Sequence, residues 1–190
     1  MGLYLVLLAA LIAWGVLVYN GLVQLRVRAD GAWSDINVQL KRRYELIPNV
    51  VETVKGYAAH ERQTLQSVVE ARSKISQMNI SADVLNNPEQ IAKFQALQTQ
   101  LSSALSRLLV VAEQYPELKA NQNFLALQSQ LEGTENRITV ERRRFNEAAQ
   151  EFNTLIRVFP NNFVAGMSRF KSKAYFQADE TAQAAPKVKF

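Results

Sequence analysis

The chain has no cysteine, and only 7 glycines and 5 prolines among its 190 residues. Without thiols there is no disulfide, no Cys-ligated zinc, no iron–sulfur cluster and no thiol nucleophile. The absence selects no compartment, because a thiol-free chain survives in oxidising and reducing spaces alike. β-sandwiches and barrels place Gly and Pro at many turns, so their scarcity predicts long helices joined by few turns. The chain also lacks a Gly-rich phosphate loop of the Walker type, a GxGxxG, a GxSxG and an HExxH. The single histidine, His60, opens HERQT, which lacks the second His that zinc would require. That segment is superficially similar to the His-Glu-x-x-Thr of phosphoacceptor helices, which keeps a phosphorelay role as a rival. The chain is too short for an added ATP-binding domain, and the plainer reading is a His at a helix junction.

What is abundant is apolar surface, concentrated at the start. Mean hydropathy is −0.13, high for a chain rich in Gln, Arg and Glu. Leu3 to Tyr19 read LYLVLLAALIAWGVLVY without a charge, and the next charged residue is Arg26. A helix needs about 20 such residues to cross the hydrocarbon core. The anchor is therefore placed at residues 1–25, with Leu3, Tyr4, Leu7, Leu11, Trp14, Leu17 and Tyr19 as its bilayer-facing residues. No basic residue precedes the run and no small-x-small site follows it, which argues against a cleaved signal peptide. Arg26, Arg28, Lys41, Arg42 and Arg43 follow the span. By the positive-inside rule this places the N-terminus outside and the following domain in the cytoplasm. Net charge is +5 with a pI near 9.6. This fits a solvated basic surface, or attraction to anionic headgroups through Arg26, Arg28, Lys171 and Lys173, with Lys187 and Lys189 beyond them.

Residues 26–160 carry helical periodicity throughout. Trp33, Leu40 and Ile47 recur every seven residues, as do Phe94, Leu101 and Leu108, and then Phe124, Leu131, Ile138, Phe145, Phe152 and Phe159. A seven-residue apolar repeat is a packing seam between helices. Pro48 removes one backbone hydrogen bond and clashes one turn back, so a kink or break is expected near Leu46–Pro48. Asn87-Pro88-Glu89 reads as a helix start, Tyr115-Pro116 as a stop, and Pro160 as the end of a last helix of about 40 residues. The fold class is all-α: a transmembrane helix followed by an elongated, antiparallel, up-and-down bundle. Residues 161–190 form a short helix and a solvated or loosely docked basic tail. The helices exceed what one compact domain needs, so their surplus seam is expected to bury against a second copy, making a homo-oligomer.

Glu141 falls at a seam position beside Arg142-Arg143-Arg144 and suits either a register-fixing polar layer or a surface salt-bridge ladder. Those arginines point around the helix rather than to one side. No aromatic platform is interleaved with them, which argues against nucleic acid. No cofactor and no metal site is expected.

The stretches AWSDINVQLKRRYELIPNVVETVKGYAAHE, LSRLLVVAEQYPELKANQNFLALQSQLEGTENRITVERRRFN and VFPNNFVAG together resemble the LemA family over nearly the whole chain. The combination of KRR, IPN, VKGY, YPELKAN and LEGTENRI carries the resemblance. It implies a bacterial membrane protein with a helical-bundle domain and no established enzymatic activity. A member of that family takes part in building magnetosome membranes, which implies a membrane-organising role. The two functions weighed are a self-associating membrane scaffold and an adaptor in envelope signalling.

Overall fold

The computed structural model describes residues 1–78 and 82–177. Among these all regular secondary structure is helical, with no strand. Helix α1 runs unbroken from Gly2–Tyr57, about 84 Å at 1.5 Å per residue. It is followed by α2 (Arg62–Ser76), a 3-10 turn (Ala82–Asn86), α3 (Pro88–Ala112), the single turn α4 (Pro116–Lys119), α5 (Gln122–Leu155) and the short α6 (Asn161–Met167). The starts follow the capping chemistry of the sequence. Asn87 accepts the Glu89 and Gln90 amides at 3.0 and 3.3 Å, and Asn121 accepts the Phe124 amide at 3.0 Å. Each cap satisfies N–H groups that a helix start leaves without an internal partner.

Cross-links along α1 show the register. Arg28 pairs with Glu151, Arg43 with Glu135, and Tyr57 with Asn121, so α5 runs antiparallel to α1. Trp33 meets Phe94 and Arg43 meets Ser102, so α3 runs parallel to α1, while α2 returns between them. Three apolar clusters stack along this bundle. The far one joins Ile47, Val50 and Val54 to Val68, Leu101, Leu108, Phe124 and Leu131. The middle one joins Trp33, Ile36 and Leu40 to Phe94, Ile138, Phe145 and Phe176. The third joins Leu22 to Phe152, Ile156 and Ala165.

The structure departs from the sequence expectations in four places. First, α1 passes through Pro48 without a break. Proline at position 48 deprives the Tyr44 carbonyl of its helical donor. Arg72 on α2 supplies a replacement, its Nε donating to the Tyr44 oxygen at 3.1 Å. The vacancy in one helix has become the attachment point of the next. Second, α5 ends at Leu155 rather than at Pro160. Phe159 therefore leaves the seam, is 74% exposed, and packs edge-to-face on Phe163 at 5.9 Å. Third, the other seam residues (Trp33, Leu40, Ile47, Phe94, Leu101, Leu108, Phe124, Leu131, Ile138, Phe145 and Phe152) are buried inside this one chain. Within the chain, α2 and α3 cover the seam faces that α1 and α5 leave open.

Fourth, residues 168–177 are held against the bundle, with Lys173, Ala174 and Phe176 buried and Arg169, Lys171 and Tyr175 exposed. Arg169, with φ 55°, ends α6 in the left-handed conformation, and the Phe170 and Arg169 amides bond back to Ala165 and Gly166. This is a Schellman ending without its usual glycine, and it turns the chain back along the bundle. Three side-chain amides then clasp the extended segment. Asn153 donates to the Lys173 carbonyl and accepts its amide, both at 2.8 Å. Asn146 does the same for Phe176 at 2.8 and 2.9 Å, and Gln95 for Gln177 at 2.6 and 3.1 Å. The clasp satisfies a backbone that has no helix to do so. It delivers the Phe176 ring among Trp33, Phe94 and Phe145, at 5.5–6.5 Å between centroids. Lys187 and Lys189 lie outside the described residues.

Candidate membrane interface

The first third of α1 is unlike the rest of the molecule. Leu3, Tyr4, Leu7, Leu11, Trp14, Leu17 and Tyr19 are all exposed, a contiguous apolar surface far larger than a soluble domain carries. It is the one helix among the described residues that is long and apolar enough to cross a membrane. This surface covers about 20 residues of α1, roughly 30 Å, which matches the hydrocarbon thickness. The exposure ends abruptly at Leu22, which is 2% exposed against Phe152, Ile156 and Ala165. The same helix that leaves the bundle is thus gripped by it within one turn.

Cations ring this junction. Arg26, Arg28, Arg157, Arg169 and Lys171 are exposed, and Arg28 also pairs with Glu151 at 3.0 Å. Lys173 is a correction to the sequence expectation. It is 5% exposed, and its ammonium lies 2.7 Å from Asp30. It is neutralised inside the protein and has no reach to a headgroup. Of the four cations proposed for anionic lipid, Arg26, Arg28 and Lys171 remain on the surface.

The second polar feature lies in the bundle interior. Arg43, taken from sequence as one of the flanking charges, is 2% exposed. Its guanidinium donates to Ser102 Oγ at 2.8 Å and lies 2.8 Å from the Glu135 carboxylate. Burial pulls the Arg43 pKa below its ordinary value, and Glu135 opposes that. Next to it Gln98 donates to the Tyr44 hydroxyl, and burial pushes the Tyr44 pKa up. The polar layer weighed at Glu141 has its carboxylate nearly two turns earlier on α5, at Glu135. Glu141 itself, its side chain 14% exposed, pairs with Arg144 at 2.9 Å, while Arg143 pairs with Glu147 at 3.0 Å on an exposed face of α5. Such a layer fixes which helix faces meet; its base is buried while its acid, Glu135, is 44% exposed, and both line a cavity together with Ser102, Leu105 and Leu131. His60 lies in an exposed turn between α1 and α2, not on the face of a helix where a phosphoacceptor histidine would stand. Among the described residues, no group of three His, Asp or Glu side chains is set to hold a metal ion.

Comparison with known proteins accords with this architecture. The LemA family model matches residues 32–190. Protein LemA of Metamycoplasma hominis is 31% identical over 161 residues, covering 85% of this chain and 69% of that protein. Magnetosome protein MamQ 2 of Paramagnetospirillum magneticum is 25% identical over 184 residues, covering 88% of this chain and 68% of its own length. Magnetosome protein MamQ of Magnetospirillum gryphiswaldense is 24% identical over 174 residues, covering 83% and 64% respectively. The family match begins at Ala32, beyond the exposed span, and includes every helix of the bundle after that point.

Proposed function

Since the chain belongs to the LemA family, we propose that it is a non-enzymatic, single-pass inner-membrane protein that organises or remodels the bilayer in which it sits. One observation carries this reading: span and bundle share a single unbroken helix, locked by Leu22 and Ala29 into the core. A flexible tether would let the domain roam. A continuous helix fixes the domain's distance and orientation to the membrane plane, so the bundle acts mechanically on whatever it meets there. The naming of three relatives as magnetosome proteins supports a membrane-shaping reading. The arginines on the domain side of the span favour a cytoplasmic domain. Exposed Arg26, Arg28 and Lys171 are assigned to anionic headgroups, each contributing about 1 kcal/mol near the surface. With the bundle seams closed, self-association is assigned to the apolar span.

Reconstitution of the full chain into vesicles, imaged by electron cryomicroscopy, tests this. Deformed or narrowed vesicles at rising protein-to-lipid ratio are expected. Vesicles indistinguishable from protein-free ones at every ratio would remove the remodelling role. Protease protection of the bundle in intact spheroplasts, lost on lysis, is the expected topology.

A further inference from the structure

Helix α6 is buried on one side only. Ala165 enters the third core cluster beside Leu22 and Phe152, while Phe163 is 64% and Met167 88% exposed. Phe159, Phe163 and Met167 are four residues apart and make one apolar row. No charged residue occurs between Arg157 and Arg169. In water such a row costs free energy, since each large apolar side chain is worth about 1.5–3 kcal/mol on full burial. Its position along α1 indicates what covers it. Phe163, Val164 and Met167 line one groove together with Leu11, Ile12, Val16 and Tyr19. Those are span residues. Leu11 lies about 22 Å along the helix from Arg26, the first charge after the span. The groove therefore lies at the depth of acyl chains, not of headgroups.

We propose that Phe159–Met167 is a second membrane-inserted element, placing Phe159, Phe163 and Met167 in the hydrocarbon of the leaflet nearest the domain. The groove between α6 and the span then holds acyl chain. Arg26, Arg157, Arg169 and Lys171, all exposed around the junction, lie at the phosphate level, as cations flank an interfacial apolar element. An element that enters one leaflet only adds area to that leaflet alone, which gives the remodelling reading a physical lever. The inference rests on the span being in the membrane, and its test separates the two.

The native chain is free of cysteine, so single labels are clean. The variants F163C, M167C, L11C and V140C of the full chain carry an environment-sensitive fluorophore in phosphatidylethanolamine–phosphatidylglycerol vesicles. All four positions are exposed, and circular dichroism checks that each variant stays folded. Quenching by a lipid with a shallow acyl-chain nitroxide, and by aqueous iodide, is then measured. The expectation is several-fold stronger lipid quenching at F163C and M167C than at V140C, with protection from iodide. If L11C is quenched by lipid while F163C and M167C behave like V140C, α6 lies in water and the proposal fails with the span intact. If L11C is not quenched by lipid, both fail. Shielding of F163C and M167C from both quenchers would mean that protein covers the row, which also overturns the proposal.

Discussion

Helix α1 contains two regions made from one secondary structure. Up to Gly21 its apolar residues face every direction; from Leu22 most of them fall on one buried stripe, with charged residues mainly on the other faces. Both halves are rich in Leu, Val and Ile, and both are helical. They differ in charge, which begins only at Arg26, and in the angular distribution of their apolar residues. An all-round apolar helix finds its partner in lipid, whereas a striped one finds it in other helices. The boundary falls within one helical turn, so the chain changes solvent without changing conformation.

Mutations can test each half independently. The largest effect is expected from F145A. Phe145 is fully buried beside Trp33 and Phe176, and its removal should cost about 3–5 kcal/mol of domain stability. Urea unfolding of the detergent-extracted chain, followed by Trp33 fluorescence, reads the loss, while membrane retention should be unchanged. L11R should do the reverse. A charge at mid-span costs roughly 2.5–3.5 kcal/mol in insertion, seen as a smaller membrane-integrated fraction, with the urea midpoint of the folded bundle unmoved. A shift of both properties by either variant would mean the halves are coupled more tightly than the boundary at Leu22 implies.

A smaller effect tests the continuity of α1. R72A strands the Tyr44 carbonyl and should cost about 1 kcal/mol. In a P48A background the residue-48 amide can serve that carbonyl, so the same change should cost much less. A double-mutant cycle measures the difference, and additivity would show that Arg72 does not compensate for Pro48. The smallest effect is in pH. Tyr44 has its pKa raised above 10.0 by burial, so the folded state keeps the proton longer than the unfolded chain. The stability from the neutral hydroxyl is complete below pH 10 and is lost as pH rises from there through the folded-state value. Y44F should flatten part of that alkaline decline in the urea midpoint. Tyr115, raised by burial and by Glu61, has the same sign, so some slope persists.

These halves also explain what the bare sequence made legible. The span was visible because bilayer thickness converts directly into a run length. The bundle core was visible because the seven-residue spacing of Phe94, Leu101 and Leu108, and of Phe124 through Phe152, survives as burial. Phe159 broke the pattern because the spacing continued past the point where the backbone stopped being helical. Arg43 and Lys173 looked like surface charge; burial of a cation depends on an acid distant in sequence, here Glu135 and Asp30. The clasped segment was illegible for a different reason. It is extended, so it has no helical period, and its partners Asn153, Asn146 and Gln95 resemble ordinary polar residues until the fold aligns them. The exposed row on α6 has only two residues inside a seven-residue helix, too few for periodicity to register.

The clasp around Phe176 also sets an order of events in the cell. Trp33 and Phe176 meet in one aromatic cluster, and Asp30 and Lys173 pair across 143 positions of chain. A nascent chain emerges from its N-terminus and begins folding as it does so. The span is therefore available to the insertion machinery long before the last cluster residue has been made. Until then Trp33 has Phe94 and Phe145 but lacks the Phe176 ring stacked on it. The contacts that complete the middle of the bundle are thus made by a segment synthesised after all of α1 to α6.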